Sequence, residues 1–242
     1  FQKELKYSVL TPYFVDNSLE KHFQFPLKYR KENYRKTFEW LKENCQQLIT
    51  SDLDYEIPMQ KMGFETTFIP NPINIDKIAF QNTEIKDKIV ILLGINRLSY
   101  IKKGIIYFEK ALEIIRERYA DEIEIIVTEN LPYNDYILQY NKATILLDQV
   151  FAYDQGYNAL EAMAKGKVVF TGAETEFLNQ YQLQEDEVCI NALPDENQIA
   201  AKISFLIEHP EKIMKISKNA RNFVEKEHDY KTIAAKYLTC WE

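Results

Sequence analysis

The spacing of apolar residues along the chain changes character near Lys88. Beyond it, Ile89–Leu93 is an unbroken apolar run, the pattern of a strand buried on both faces. A glycine-containing loop follows, then a stretch from Lys103 to Arg118 with Ile105, Phe108, Leu112 and Ile115 at helical spacing. The alternation continues: Ile123–Thr128 reads as a strand, Tyr133–Tyr140 as a helix, Ala143–Leu147 as a strand and Tyr157–Lys165 as a helix. Val168–Thr171 and Glu187–Ile190 read as further strands, with a short helix over Glu174–Gln180 between them. Strands alternating with helices predict an α/β domain with a parallel sheet flanked by helices and right-handed crossovers. Gly94, Gly104, Gly156, Gly166 and Gly172 are all expected at element ends. After Asp195 the pattern is helical throughout, over Asn197–Glu208, Pro210–Glu227 and Tyr230–Trp241. Pro210 falls where a first helical turn accepts proline.

Upstream of Lys88 the periodicity is weaker. A helix is expected over Glu32–Cys45, strands over Gln47–Thr50 and Thr66–Ile69, and a helix between them over Asp54–Met62. Pro70-Asn71-Pro72-Ile73-Asn74 then interrupts regular structure, because proline lacks the N–H and restricts its predecessor. This segment reads as a linker, with the polar residues 75–87 completing a hinge.

Composition adds bounds. Hydrophobic residues make up 46% of the chain and charged residues 28%, enough to bury a substantial core. A net charge of −7 argues against a dedicated nucleic-acid binder, yet leaves room for a local pair of cations facing phosphate. Cys45, Cys189 and Cys240 are widely separated, and His22, His209 and His228 have no metal-ligand spacing, so free thiols and no metal site are expected. No stretch approaches the ~18 consecutive apolar residues of a membrane span, and no signal-peptide pattern opens the chain. A cytoplasmic location is expected. The basic run Lys28-Tyr29-Arg30-Lys31, with Arg35 and Lys36, reads either as one solvated helix face or as a contact with the inner face of an anionic membrane.

In an open α/β sheet, ligands bind beyond the carboxyl ends of the strands. Two loops there carry chemistry. The first, GINRLSYIKKG (residues 94–104), places Arg97, Lys102 and Lys103 ahead of a helix. Cations are unfavourable at a helix N-terminus, and a diphosphate gripped by guanidinium, ammonium and helix amides would resolve the conflict. A solvated basic loop is the alternative. The second is FAYDQGYNALEAMAKGKVV (residues 151–169). Gly156 permits close backbone approach to a ligand, and Tyr157 and Asn158 open a helix whose N–H groups are free for phosphate. Glu161, one turn in, has the reach to accept hydrogen bonds from ribose hydroxyls; otherwise it is a solvent-facing charge. Tyr133, after the strand ending near Val127, is placed to stack on a nucleobase or to pack structurally.

Together these stretches resemble the C-terminal domain of the family-4 retaining glycosyltransferases, which have the GT-B fold of two facing Rossmann-like domains; the resemblance implies that the parallel sheet flanked by helices is Rossmann-like. The resemblance is carried by GINRLSYIKKG and GYNALEAMAKGKVVFTGAE, supported by FIPNPIN as the interdomain segment and by the closing HDYKTIAAKYLTCW. It implies that Arg97 and Lys103, followed by Gly104, contact the donor diphosphate and that Glu161 binds the ribose. It implies no metal or other cofactor: a nucleotide-diphosphate sugar, UDP- or GDP-linked, is a substrate, and the acceptor is a glycan, a lipid-linked or a small molecule. Residues 1–74 are expected to be a remnant of the N-terminal acceptor domain plus linker, 75–228 the donor-binding domain, and 229–242 a helix packing back toward the first. On this reading the chain is part of a longer protein and inactive by itself.

The sequence also departs from the family. The first glutamate of the family's paired motif, which faces the donor sugar, falls on Tyr153; Asp154 is adjacent and Asp148 lies upstream. Asn96 stands where glycine often precedes the arginine. The donor-binding set therefore comprises Asn96, Gly156, Tyr157, Asn158, Glu161, Tyr153, Asp154 and Tyr133, with Arg97 and Lys103 as the residues acting on the leaving group. Two other readings remain: a sugar-nucleotide-binding module without catalysis, and a sugar-nucleotide epimerase of the same fold.

Overall fold

A computed structural model describes residues 6–8, 11–23, 27–81, 85 and 87–241. Its centre is a five-stranded, wholly parallel sheet built from β3 (Ile89–Ile95), β4 (Ile123–Glu129), β5 (Ile145–Leu147), β6 (Val168–Thr171) and β7 (Ile190–Asn191). The spatial order is β4-β3-β5-β6-β7. A two-stranded parallel sheet, β1 (Ile49–Thr50) with β2 (Thr67–Phe68), precedes it.

The strand sequences account for two cores. Successive strand residues point to opposite faces, so Ile91 and Leu93, Ile145 and Leu147, and Val168 and Phe170 join one apolar cluster with the helices Ile105–Arg118 and Glu196–Glu208. Leu92, Leu146 and Val169 join the other, with Tyr140, Leu160, Met163, Phe177 and Phe223. Both faces are covered, which is why these strands read as continuous apolar runs. Asp195 caps the helix Glu196–Glu208 by accepting from the N–H groups of Asn197 and Gln198, and Pro210 stands in the first turn of Pro210–Glu227.

The helix expected from Lys103 breaks at Gly104, whose φ of +68° ends a short helix, Tyr100–Lys103, and starts the long one, Ile105–Arg118. Gly94 lies inside β3 rather than at its end, since pairing with β4 continues through Gly94 and Ile95; a Cβ at Gly94 would meet the Tyr136 ring 2.9 Å away. The last strand is Ile190–Asn191 rather than Glu187–Ile190, and Gln47–Thr50 contracts to Ile49–Thr50. Two short helices, Thr11–Val15 and Leu19–His22, occupy the part of the chain without clear periodicity. Of the hinge residues, Ile75–Lys77 form a 3₁₀ turn, while residues 82–84 and 86 lie outside the described set.

The segment after β2 is clasped to the start of the last helix, Tyr230–Thr239. Ile73 N–H donates to His228 O at 2.7 Å, and Tyr230 N–H donates to Ile73 O at 3.2 Å. His228 is buried, its Nδ1–H donating to Asn71 O at 2.9 Å, and burial pushes its pKa down to about 4. Among the described residues, no helix is long and apolar enough to cross a membrane.

Candidate functional site

Parallel strands all end on the same side, so the loops after β3, β4, β5 and β6 share one edge of the sheet. The Asn96 side chain accepts from Leu98 N–H at 3.0 Å and so caps the 3₁₀ turn Arg97–Ser99. The turn aims Arg97 toward β4. There its guanidinium forks onto Glu129, the last residue of that strand, with Nε to Oε1 at 2.8 Å and Nη2 to Oε2 at 2.6 Å. The guanidinium also lies 5.1 Å from the centre of the Tyr100 ring. Hydrogen bonds from Arg97 hold the Glu129 carboxyl below its usual pKa, although both side chains are exposed.

Lys103 is held on the other side of β3. Its Nζ lies 2.9 Å from Oδ1 of Asp148, just beyond β5, and the Asp148 side chain is only 2% exposed. The same oxygen accepts from Asn158 Nδ2 at 2.8 Å. Asn158 Oδ1 accepts in turn from the Tyr136 hydroxyl at 3.1 Å, while the Tyr140 hydroxyl donates to Asn158 O at 2.8 Å. Burial pushes the Tyr136 hydroxyl up to about 12 and Tyr140 further still, so both remain neutral donors. Lys103 O also accepts from Val150 N–H at 2.8 Å, fixing the backbone behind the ammonium. A buried carboxylate with a cation and an amide on one oxygen makes this a rigid arrangement, unlike the exposed fork at Arg97.

Asn158 belongs to the first turn of the helix Tyr157–Ala164, with Gly156 as its cap residue. Apart from its chain neighbours, no described atom lies within 4 Å of where a Gly156 Cβ would stand, so the space beside the cap residue is open. Tyr157 is exposed and Glu161 half-buried on the same helix. Tyr133 is 71% exposed at the start of the helix Tyr133–Lys142.

Tyr153 and Asp154 are placed differently. Tyr153 is buried in the core cluster that includes Leu160 and Phe177, and its N–H faces the Asp54 carboxylate at 3.3 Å. Asp154 is buried and accepts from Leu53 N–H at 2.9 Å, the first residue of the helix Leu53–Lys61. Oxygens of Asp52, Asp54 and Asp154 lie within 4.8 Å of one another. Asp52 also accepts from Tyr55 N–H at 3.1 Å, so the three carboxylates receive backbone donors and join the two sheets' loops.

The sheet's carboxyl edge thus carries Asn96 and Arg97 on the β4 side of β3, and Lys103, joined through Asp148 to Asn158 at the helix mouth, on the β5 side. Tyr153 and Asp154 face inward, toward the segment before the linker. The residues that sequence reasoning missed are Glu129 and Tyr136. Glu129 was discoverable, since it stands at the carboxyl end of a strand, where ligand contacts gather. Asp148 stood out only as an upstream carboxylate, and no spacing rule signals its bond to Lys103. A separate cleft of about 410 Å³ lies between the loop before β7 and the last long helices, lined by Asp186, Ile190, Lys202, Phe205, Lys215 and Asn219 among others. None of the sequence-derived site residues lines it.

The family model described as "Glycosyl transferase-like" matches residues 101–239. No curated protein is significantly similar in sequence. Among solved structures, sucrose-phosphate synthase from Thermosynechococcus elongatus superposes with a TM-score of 0.64 at 18% identity, covering 91% of this chain and 65% of its own. HepE from Anabaena, solved with UDP and glucose, gives 0.64 at 14% identity over 86% of this chain and 66% of its own. A point mutant of TarM from S. aureus, solved with fondaparinux, α-GlcNAc-glycerol and UDP, gives 0.64 at 11% identity over 86% and 46%. These likenesses show the GT-B glycosyltransferase fold. The chain spans about two thirds or less of each of these structures.

Proposed function

The chain belongs to the glycosyl transferase-like family, and from that premise we propose that it is the donor-binding part of a retaining glycosyltransferase. The donor is a nucleotide-diphosphate sugar, UDP- or GDP-linked. The acceptor is a glycan, a lipid-linked or a small molecule. The observation that carries this reading is the pair of cations flanking the carboxyl end of β3, with open space beside the cap residue of the helix Tyr157–Ala164. Arg97 and Lys103 neutralise the charge that develops on the departing diphosphate, with helix amides at Gly156 and Tyr157 adding to the same field. Glu161 orients the ribose, and Tyr133 offers an exposed face to the base. Asn96 shapes the turn that presents Arg97. The UDP held by the HepE and TarM structures supports the donor class. Tyr153 and Asp154 act from behind, fixing the loop that leads into the helix mouth.

Residues 1–74 supply part of the acceptor domain and the linker, 75–228 the donor domain, and 229–242 a helix that returns toward the first. The clasp between Ile73 and Asp229 supports that division. Transfer takes place on the cytoplasmic side, with the basic segment Lys28–Lys31 available to an anionic membrane surface in polysaccharide synthesis. Charge stabilisation comes from side chains, so the reaction needs no metal and persists in EDTA.

Thermal denaturation of this chain against UDP, GDP and ADP tests the binding part. A ligand at 100 times its dissociation constant stabilises by about 2.7 kcal/mol. Sugar transfer or donor hydrolysis by the full-length protein tests the catalytic part. Binding without turnover by the full-length protein would reduce the reading to a sugar-nucleotide-binding module.

A further inference from the structure

The two cations of the site carry different counter-ions, and the difference has a functional consequence. Lys103 is paired with Asp148, which is almost wholly buried and also holds Asn158. That carboxylate cannot leave without unmaking the core behind it. Arg97 is paired with Glu129, and side-chain exposures of 51% and 44% leave the pair open to water. Glu129 takes both guanidinium donors that a phosphate would use, Nε at 2.8 Å and Nη2 at 2.6 Å, in the bidentate geometry that carboxylates and phosphates share.

We propose that Glu129 is an exchangeable counter-ion of Arg97, holding the phosphate's place until a nucleoside diphosphate displaces it. This rests on the proposed function, in which Arg97 meets the diphosphate. The fork keeps the guanidinium at the carboxyl edge of the sheet and shields it from other anions. It also lowers apparent affinity, because only the fraction of molecules with Arg97 released binds with the intrinsic constant. Asp148, by contrast, is a fixed positioning residue for Lys103 and stays in place with ligand bound. The site therefore has one rigid cation and one that exchanges partners.

The test is a double-mutant cycle on this chain, using calorimetry with whichever of UDP, GDP and ADP binds most tightly. Glu129→Gln keeps the size and one acceptor oxygen but removes the competing charge. It is expected to tighten binding roughly fivefold, the factor for losing one unit-charge interaction at about 4 Å in water. The gain should shrink as salt is raised, because exposed charges are screened. In the Arg97→Ala background, Glu129→Gln should change affinity by less than about twofold, since its effect acts through Arg97. Weaker or unchanged binding by Glu129→Gln, while Arg97→Ala still weakens it, overturns the counter-ion role and leaves the site intact. An equal gain from Glu129→Gln with and without Arg97 also overturns it, assigning the effect to general charge. Unchanged binding by Arg97→Ala, or no binding by any of the three nucleotides, overturns the phosphate site itself and this inference with it.

Discussion

Nζ of Lys103 and Oδ1 of Asp148 lie 2.9 Å apart at the carboxyl end of β5, with the carboxylate buried and the ammonium reaching the surface. One oxygen thereby joins the loop after β3 to the helix mouth at Asn158. The pair separates two roles that look alike in sequence, since Arg97 and Lys103 are both cations of one loop.

Their replacement should have different effects on stability. Lys103→Ala leaves the Asp148 charge buried with Asn158 as a remaining side-chain donor, and the expected cost is about 1–3 kcal/mol, that of removing a buried group's partner. Arg97→Ala removes an exposed fork and should leave the urea midpoint unchanged. Urea denaturation of the two variants checks this; equal loss in both would contradict the buried-hub account of Asp148.

Glycines at the two loops should also divide. Gly104 has φ +68°, and a Cβ there would lie 2.9 Å from Val150 Cβ and 3.0 Å from the Phe151 ring. Gly104→Ala is therefore expected to destabilise by more than about 1 kcal/mol. Gly156 has φ −80° and open space around it. Gly156→Ala should keep its melting temperature while weakening nucleoside diphosphate binding, because the added methyl narrows the mouth that the phosphate enters. Thermal melts with and without nucleotide decide both.

Those glycines illustrate what was legible in sequence. The βαβ alternation and the approximate span of most elements followed from apolar spacing, because a sheet covered on both faces leaves strong runs such as Ile89–Leu93. Arg97, Lys103 and Gly156 stood out because loops after buried strands are where such sheets bind ligands. The break at Gly104 was less visible: glycine is tolerated in helices, and its left-handed φ and the Val150 and Phe151 side chains packed against it leave no mark on the local apolar spacing. Burial of Tyr153 and Asp154 depends on Asp54 and Leu53, about a hundred residues away in sequence, and no local pattern encodes such contacts. The strands β1 and β2 are so short that pairing, not periodicity, defines them.

Stability should fall in mild acid through His228. Burial among Phe223, Tyr181 and the linker lowers its folded pKa from 6.5 to about 4, with Glu227 and Lys236 the charged groups acting on it. The folded state therefore binds fewer protons than the unfolded chain between those values. The contribution is fully present above pH 6.5 and is lost as pH falls toward 4. At about 1.4 kcal/mol per unit it amounts to about 3 kcal/mol over the window. Urea denaturation at pH 7 and pH 4.5 measures it, and His228→Gln should flatten the difference. An equally steep loss in that variant would assign acid sensitivity to other groups.

A crystal structure of this chain with its tightest-binding nucleoside diphosphate tests the central claim most directly. The account predicts phosphate oxygens within hydrogen-bond distance of the Arg97 guanidinium and the Lys103 ammonium, and ribose hydroxyls on Glu161. A nucleotide seated instead in the cleft beside Lys202 and Asn219, with Arg97 and Lys103 untouched, would contradict it.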